Sequence, residues 1–403
     1  MKKPPIPIKI PKKLKAHNDL RIDNYYWLRD DERKNKEVIK YLNEENKYTK
    51  DWFKKNKVNT RKIFRYYKNA IPKFEESFKT KIDEYEYYST SSLFQEHRKY
   101  YRRHNKSKKL LLDVNKLAKN KDYFDISAIY PSRNHKYIAY GADTNGRREF
   151  SIVVKDVNKN KDYEKNNCSS TGNIVWNKTS DGYFYLKKDP ITLITNSLFF
   201  HKLGTSTKKD KLLYEEKDKQ FNLSISLSRT KKYLFLQASK TEANETWFLD
   251  LEKKDFNLKC FLRRKNKHLY YIDDSPEKFF VLSDRNNKKN FALYETNFNK
   301  TDVLNWRVTV NHKKNELIEG FLCFKEFIIL ETRKKGMPCL IQLDKKNNKK
   351  TYINFEDVAY TLSLVRNNNY DANNFVFAYS SLKSPSTFYS QDLYTKKRKK
   401  LWS

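Results

Sequence analysis

The residues that could carry acid–base, nucleophilic or metal chemistry are few and scattered in this sequence. Its seven histidines include no H-E-x-x-H pair, the pattern that holds zinc on one face of a helix. Its four cysteines include no C-x-x-C pair, so they predict neither a metal cluster nor a disulfide framework. Cys323 and Cys339 lie in apolar contexts, and we interpret them as core residues of strands. We therefore expect no metal site.

The positions of the seven glycines show whether the chain contains a glycine-rich loop that holds a nucleophile or binds a nucleotide or phosphate. No stretch matches the G-x-S-x-G elbow, the G-x-G-x-x-G turn or the P-loop pattern. Adjacent carboxylates occur at Asp30/Asp31, Glu215/Glu216 and Asp273/Asp274. Predicted turns and a helix start account for these pairs through solvation and capping. The sequence thus predicts no catalytic residue and no cofactor.

The strongly positive charge raises the question of a nucleic-acid partner. The formal net charge is +36, but lysine and arginine are spread along the whole chain. The only dense runs lie at residues 345–350, in a predicted turn, and at residues 396–400. Because binding to phosphates needs clustered cations, we interpret the charge as solvated surface and do not expect nucleic acid as the main partner.

The chain carries no signal for a membrane or for export. The start, Met1 to Pro7, is basic and rich in proline but lacks the apolar segment of a signal peptide. No apolar run approaches the length needed to span a bilayer. We expect a soluble, cytoplasmic protein without a membrane partner.

Most of the chain repeats a pattern of short strands. Seven apolar runs end in a polar residue or a turn, and their last residues are about 43 to 49 positions apart. These last residues are Asp113, Asp156, Lys202, Asp250, Thr296, Leu343 and Asp392. A period in the forties made of short strands is typical of β-propeller blades. Asp181-Gly182 is a hairpin signal between two of the runs.

The first 75 residues have a different pattern, which predicts a helical arm. A proline-rich extended segment covers about 20 residues, and the acids at Asp30 and Asp31 precede a helix predicted from Glu32 to Lys55. Tyr41, Tyr48 and Trp52 lie on one face of it. A second helix is predicted from Thr60 to Tyr67, with Ile63, Phe64 and Tyr67 pointing inward. The predicted fold is all-β, with an extended and helical arm at residues 1–75 and a seven-bladed propeller at residues 76–403.

Several segments together form a pattern that is specific in order and spacing. They begin at residues 23–31, Asp-Asn-Tyr-Tyr-Trp-Leu-Arg-Asp-Asp, and continue at residues 41–49, 189–193, 201–205, 210–218, 317–321 and 379–385. This pattern resembles the prolyl oligopeptidase family, and its oligopeptidase B (protease II) branch in particular. It covers nearly the whole chain in order and spacing. The chain departs from the pattern at Asp189, where a histidine is expected before Pro190.

The resemblance implies a role in cleaving peptides. In this family an arm and a seven-bladed propeller precede an α/β-hydrolase domain with a serine, aspartate and histidine, and the oligopeptidase B branch cleaves short peptides after lysine or arginine. The propeller acts as a size filter, the arm packs against the hydrolase, and no cofactor is used. This sequence ends where the hydrolase domain would begin, so no catalytic residue is carried over.

Three hypotheses follow from these observations. The first is a propeller subunit that works with a separately encoded hydrolase chain on short basic peptides, because the arm aromatics Trp27, Tyr41, Tyr48 and Trp52 would otherwise lack cover. The second is a noncatalytic remnant of such an enzyme. The third is a binding module for peptide, protein or nucleic acid in the channel. Arg147 and Arg148, in a predicted loop, are candidates for attracting a peptide carboxylate, although a solvated loop explains them as well.

Overall fold

A computed structural model describes residues 3–55, 57–365 and 367–402 of the 403-residue chain. The chain forms two compact units, of which the first ends at Lys73 and the second begins at Phe74. No helix among these residues is long and apolar enough to cross a membrane.

The first unit, called the arm below, begins with a β-hairpin that the sequence did not predict. Strand β1 (Lys12–Ala16) pairs antiparallel with β2 (Asp19–Asp23). The two residues between them, His17 and Asn18, have φ values of 50° and 62°, as a tight two-residue hairpin turn requires. A short 3-10 turn follows at Tyr26–Leu28.

Two helices complete the arm, and their limits differ from the predicted ones. Helix α1 (Lys36–Lys55) begins four residues after Glu32 because Asn35 caps it, its Oδ1 accepting from the Glu37 N–H at 3.0 Å. The Asp30 carboxylate accepts from the Asn35 N–H at 2.7 Å and holds the preceding residues in a turn. Helix α2 (Lys57–Ala70) is longer than predicted at both ends.

The apolar residues of α2 do not point inward as predicted. Ile63, Phe64 and Tyr67 are 57%, 67% and 65% exposed. They lie within one stripe of the helix, while Lys62 and Arg65 lie on the opposite side. The prediction that these three side chains point inward is therefore wrong, because all three are more than half exposed.

The second unit consists of antiparallel sheets that follow one another along the chain. Sheet I contains β3 (Phe74–Glu76), β4 (Thr80–Ile82), β5 (Tyr85–Ser92), β6 (Lys99–His104) and β7 (Ser107–Asp113). The short helix α3 (Val114–Ala118) follows it. Sheet II contains β8 (Asp125–Ile126), β9 (Tyr130–Pro131), β10 (Tyr137–Asp143), β11 (Phe150–Asp156), β12 (Lys161–Trp176), β13 (Gly182–Lys188), β14 (Thr195–Lys202) and β15 (Lys211–Glu215).

Four further sheets have four strands each. Sheet III contains β16 (Asn222–Leu227), β17 (Tyr233–Lys240), β18 (Ala243–Asp250) and β19 (Leu258–Leu262). Sheet IV contains β20 (Tyr270–Asp274), β21 (Lys278–Ser283), β22 (Ala292–Asn297) and β23 (Arg307–Val310). Sheet V contains β24 (Glu316–Cys323), β25 (Phe327–Lys334), β26 (Met337–Asp344) and β27 (Lys350–Ile353). Sheet VI contains β28 (Tyr360–Leu364), β29 (Asn374–Ser381), β30 (Thr387–Asp392) and β31 (Arg398–Trp402).

The core lies between neighbouring sheets, as a propeller requires. Apolar residues from both faces of the middle strands are buried, so each sheet shares a cluster with the next. The shared clusters pair Leu112 with Tyr140, Leu198 with Leu234, Phe248 with Phe279, Leu293 with Ile328, and Ile329 with Phe377. The predicted all-β propeller architecture is confirmed.

The prediction of seven blades is wrong as a count of separate sheets. Five sheets of the described chain have the four or five strands of a single blade, and sheet II has eight. The reason is the 16-residue strand β12, which pairs with β11 through its first part and with β13 through its last part. The register of the pairing between β12 and β13 shifts between Ser170 and Ile174, but β12 still connects β11 to β13 in one continuous sheet.

Side chains join the first and last sheets of the unit. Sheet I and sheet VI are each built from one continuous segment and share no strand among the residues described. The Trp402 indole Nε1 donates to the Glu76 carbonyl at 2.8 Å, and the rings of Phe78 and Phe388 stack with centroids 4.8 Å apart. We call these contacts the seam.

Candidate functional site in the propeller channel

Two cavities in the second unit are lined by strands of several sheets and by the turns that connect them. The first, of about 760 Å³, is lined by sheets I, III and VI, and includes the seam residue Trp402. The second, of about 650 Å³, is lined chiefly by sheets I, II and III. Asp83, Lys231 and Asn368 line both cavities, so the two meet at these side chains.

Two turns that reach these cavities have the same sequence pattern, Ser-Arg-x-x-Lys-Tyr. One runs from Ser132 to Tyr137 between β9 and β10, and the other from Ser228 to Tyr233 between β16 and β17. In each turn the serine Oγ accepts from the tyrosine N–H, at 2.9 and 3.0 Å. Their fourth residues, His135 and Lys231, both have positive φ. The two turns are therefore structural equivalents in different sheets.

Both of these equivalent residues contact one carboxylate from sheet I. Asp83, in the turn between β4 and β5, lies 3.1 Å from His135 Nε2 through Oδ2 and 2.8 Å from Lys231 Nζ through Oδ1. Burial by itself raises the pKa of Asp83, but the contacts with Lys231 and His135 outweigh it and lower that pKa. Asp83 therefore links sheets I, II and III as a carboxylate.

Arg229 of the second turn extends to two more distant sheets. Its Nε donates to the Cys323 carbonyl at 2.6 Å, and its second guanidinium nitrogen donates to the Asn369 carbonyl at 2.7 Å. The remaining terminal nitrogen donates to the Asn367 carbonyl. The guanidinium carbon lies 4.8 Å from the centre of the Phe324 ring. Arg229 is 7% exposed, so its charge is buried and satisfied chiefly by carbonyl oxygens.

The turn also binds two carboxylates at the end of β20. Asp273 accepts from the Arg229 N–H at 2.8 Å, and Asp274 accepts from the Thr230 N–H at 2.8 Å and from the Ser228 hydroxyl at 3.0 Å. Burial, with the charge of Asp274 adding to it, raises the pKa of Asp273 to about 7. Asp273 and Asp274, which we interpreted from the sequence as solvated turn residues, are thus hydrogen-bond partners of this turn.

The candidate peptide-attracting residues lie elsewhere. Arg147 and Arg148 are exposed in the loop between β10 and β11. The Arg147 Nε is 3.7 Å from Glu149 Oε2, while the Arg148 N–H donates to Asp143 at 2.8 Å and its carbonyl accepts from Lys188. Because β10 runs from the turn at Tyr137 to this loop, the two arginines lie at the other end of the strand from Asp83 and its partners.

The arm aromatics form two groups. The Trp27 indole donates to the Ile8 carbonyl at 2.9 Å, and its ring lies 6.3 Å from Tyr41. Tyr48 and Trp52 line a groove of about 580 Å³ together with Pro5. Trp52 remains 45% exposed. The arm thus presents a groove and an apolar stripe to its surroundings.

The described residues do not form the ligand set that a metal ion needs. Among them, no group of three or more histidine, cysteine or carboxylate side chains is placed to hold a metal ion. Sequence reasoning missed Asp83, Arg229 and Lys231. The repeated Ser-Arg-x-x-Lys-Tyr pattern was a signal that could have found the two arginine-bearing turns. The isolated Asp83 gave none.

A family profile matches almost the whole chain. The family described as "Prolyl oligopeptidase, N-terminal beta-propeller domain" matches residues 7–403. The chain is 27% identical to a dipeptidyl aminopeptidase BI of Pseudoxanthomonas mexicana and 26% identical to a protease 2 of Moraxella lacunata. These alignments cover 99% and 97% of the chain but 57% of either relative, so the chain spans little more than half of their length.

Solved structures agree on the fold. An oligopeptidase B from Leishmania major superposes with a TM-score of 0.91 at 21% identity, over 99% of this chain and 60% of that one. An oligopeptidase B from Trypanosoma brucei superposes with a TM-score of 0.88 at 22% identity, over the same shares. The arm, the ring of sheets and the profile lead to one conclusion: the chain belongs to the prolyl oligopeptidase family and corresponds to its N-terminal β-propeller part.

Proposed function

We propose that this chain is the gating and size-selecting part of an oligopeptidase B-like serine peptidase that cleaves short peptides after lysine or arginine. The observation that carries the proposal is the family match over residues 7–403, combined with the length of the relatives, of which the chain spans 57%. The serine, aspartate and histidine would come from an α/β-hydrolase module. We place the assembled enzyme in the cytoplasm.

The arm supports dependence on such a module, which we place on a second polypeptide. Ile63 and Tyr67 of α2 are more than half exposed, and so are Phe53 at the end of α1 and Ile71 after α2. Exposed apolar stripes of this kind mark docking surfaces. In this proposal the hydrolase module covers the α2 stripe and the groove at Tyr48 and Trp52, and Trp27 with Tyr41 supports them from within the arm. The chain alone would then be inactive.

The channel supports the filtering role. Its cavities, of about 760 and 650 Å³, admit a short peptide but no folded protein. The loop with Arg147 and Arg148 lies at the strand ends away from Asp83, and we propose that it attracts the carboxyl terminus of a short peptide. Both arginines are exposed, and exposed charges act mainly by steering rather than by tight binding.

We further propose that sheet II works as two blades, which brings the ring to seven. On either side of the shift in β12, each half has the strand order of a single blade. The halves also contact each other face to face, since the Trp176 indole donates to the Tyr130 carbonyl at 2.9 Å and its ring stacks on Tyr137. Such contacts are typical of adjacent blades.

A noncatalytic remnant or a module that binds peptide by itself is the second candidate. It is favoured by the lack of any G-x-S-x-G pattern in the 403 residues. The experiment that separates the two candidates is a tagged pull-down from the host, with cleavage of an Arg-Arg amide substrate as the readout. A co-purified chain with a nucleophile elbow, together with cleavage, supports the peptidase. A lone inactive chain contradicts it.

Matched variants of α2 sharpen this experiment. Ile63→Ser with Tyr67→Ser removes part of the apolar stripe, and Lys62→Ser with Arg65→Ser changes the opposite face of the same helix. We expect the first pair to lower recovery of the hydrolase chain and of activity at least tenfold, and the second pair to change either by less than twofold. Equal losses from both pairs would contradict docking through the stripe.

A further inference from the structure

One turn of four residues contacts every other sheet of the propeller. We call residues 228–231, between β16 and β17 of sheet III, the hub turn. Lys231 pairs with Asp83 of sheet I, and the Lys231 carbonyl accepts from Arg133 of sheet II. Residues 228–230 bind Asp273 and Asp274 of sheet IV. Arg229 binds the carbonyls of Cys323 in sheet V and of Asn367 and Asn369 beside sheet VI.

These contacts cross the channel and do not follow its wall. In a ring of sheets, strand pairing and cluster packing join neighbours only, and sheets I, V and VI are not sequence neighbours of sheet III. The hub turn therefore extends across the opening at this end of the strands. Its Lys231 also lines both cavities, and its Arg229 and Thr230 line the first.

The buried Arg229 side chain stabilises the closed ring, because it keeps its hydrogen-bond partners only while the ring is closed. A guanidinium that is 7% exposed needs hydrogen-bond partners, because an unpaired buried charge is strongly destabilising. Its three carbonyl partners lie in sheet V and in the loop between β28 and β29 of sheet VI. If sheet VI moved away, Arg229 would lose the Asn367 and Asn369 carbonyls together. Moving sheet VI away from the hub turn therefore costs free energy through these two hydrogen bonds, in addition to the contacts that are lost at the seam.

The equivalent turn in sheet II shows that this reach is specific. It has the same pattern and the same internal bond from Tyr137 to Ser132. Yet among the described residues its Arg133 side chain donates a hydrogen bond to the Lys231 carbonyl, in the adjoining sheet, and its His135 contacts Asp83 of sheet I. Turn geometry alone thus does not produce contacts with five sheets. The position of the hub turn, whose last three residues line one cavity together with the seam residue Trp402, allows them.

We propose that the hub turn is a plug that closes this end of the channel and holds the ring shut across its seam, in place of a strand shared by the first and last sheets. A ligand then enters the channel from the opposite end, or at this end only when Arg229 and Lys231 release their partners. The proposal rests on the geometry of the second unit and does not require that the chain be part of a peptidase.

Hydrogen–deuterium exchange on the full chain tests the proposal. The variant is Arg229→Met, which keeps the length of the side chain but removes its hydrogen bonds. We expect amide exchange in β3 to β5 of sheet I and in β28 and β29 of sheet VI to rise at least tenfold, because the seam opens more often. Exchange in β21 and β22 of sheet IV should change by less than threefold.

The matched control is Arg285→Met. Arg285 also donates to a carbonyl, that of Val303 at 2.8 Å, but both residues lie in connections between strands of the same sheet, sheet IV. Exchange near the seam should stay at the wild-type level in this variant. Unchanged exchange in folded Arg229→Met, or an equal rise in Arg285→Met, would overturn the proposal.

A second pair of variants decides the matter if Arg229→Met does not fold. Lys231→Asp alone brings a second carboxylate towards Asp83 and should raise exchange in sheet I. Lys231→Asp combined with Asp83→Lys restores the ion pair in reverse but not the contact of Asp83 with His135. We expect the double variant to recover at least half of the lost protection. Failure of the swap to recover any protection counts against a plug that works through this pair.

Discussion

His201 illustrates how the contacts of a single buried residue shift its pKa. Its side chain is fully buried in sheet II, with Nδ1 2.6 Å from Asp210 and Nε2 3.1 Å from Glu164, an ion-pair distance without good hydrogen-bond alignment. Tyr185 donates to the other oxygen of Asp210 at 2.6 Å. Burial by itself lowers the pKa of His201, but the contacts with Glu164 and Asp210 outweigh it and raise that pKa.

The sign of the resulting pH dependence follows from linkage. The folded-state pKa of His201 lies above the unfolded value of about 6.5, so its contribution is fully present below pH 6.5 and is lost as the pH rises through the folded pKa. We expect His201→Gln to lower the free energy of unfolding by about 3 kcal/mol at pH 5.5, as for a broken buried ion pair, and by less at pH 9. Urea unfolding at several pH values measures this.

His268 provides a control with the opposite sign. It contacts Ser283 at 2.9 Å, and burial lowers its pKa. A depressed histidine pKa costs stability as the pH falls below the unfolded value of about 6.5. The difference between wild type and His268→Gln should therefore shrink as the solution becomes acidic. A His201→Gln effect that grows with pH, as for His268→Gln, would show that the two carboxylates do not hold the proton on His201.

At the scale of the element, the sequence predicted the middle strands of the sheets well and the edge strands poorly. Runs such as Tyr183 to Leu186 are buried on both sides, so their apolar character follows from packing between sheets. The edge strand β31 contains Arg398 to Lys400, so its sequence looks like a basic run and not like a strand. Lysine and arginine are common on edge strands because they discourage pairing with other chains. The β1–β2 hairpin was missed because His17-Asn18 is not the common Asn-Gly or Asp-Gly signal.

The sequence correctly predicted a hairpin at Asp181-Gly182, but Gly182 is not the residue with positive φ that an Asp-Gly turn usually requires. The positive φ of this turn lies at Ser180, and Gly182 opens β13 with an ordinary backbone. A Cβ on Gly182 would lie 2.4 Å from Phe200 Cζ and 2.6 Å from the His201 carbonyl oxygen of β14. The glycine is needed because two strands approach each other closely there, which sequence alone does not show.

This close approach gives a prediction for the β13–β14 pair. Gly182→Ala should lower the free energy of unfolding by about 2 kcal/mol, because the backbone of β14 cannot move as a flexible side chain could. Gly320→Ala in β24 is the control, since its nearest neighbour is the Glu331 carboxylate at 3.2 Å. Thermal unfolding of both variants measures the effect. A larger loss for Gly320→Ala would contradict the packing argument.

At the scale of the whole molecule, the period of the sequence predicts a propeller but not how the ring closes. The seam and the hub turn depend on contacts between residues that are up to 326 positions apart, such as Trp402 and Glu76. Contacts of this kind have no local pattern. Arg229 binds backbone carbonyls, which any residue supplies, so no partner could be identified from side-chain types.

We expect the seam and the hub turn to hold sheets I and VI together jointly, and the contribution of the seam can be measured first. Trp402→Ala removes the hydrogen bond to Glu76 and the edge contact with Phe388, whose ring centre is 5.4 Å away, and should cost about 2 kcal/mol of unfolding free energy. Leu401→Ala is the control, because Leu401 is 41% exposed on the other face of β31. Urea unfolding should show a loss of under about 1 kcal/mol for the control.

A double-mutant cycle then tests whether hub and seam share one opening. If either closure keeps sheets I and VI together when the other is removed, Trp402→Ala combined with Arg229→Met should lose more stability than the two single losses added. We expect an excess of about 1 kcal/mol, the size seen for coupled sites. Simple additivity would mean that the ring is held at two independent points. The hub turn would then stabilise sheets V and VI locally, without guarding the seam.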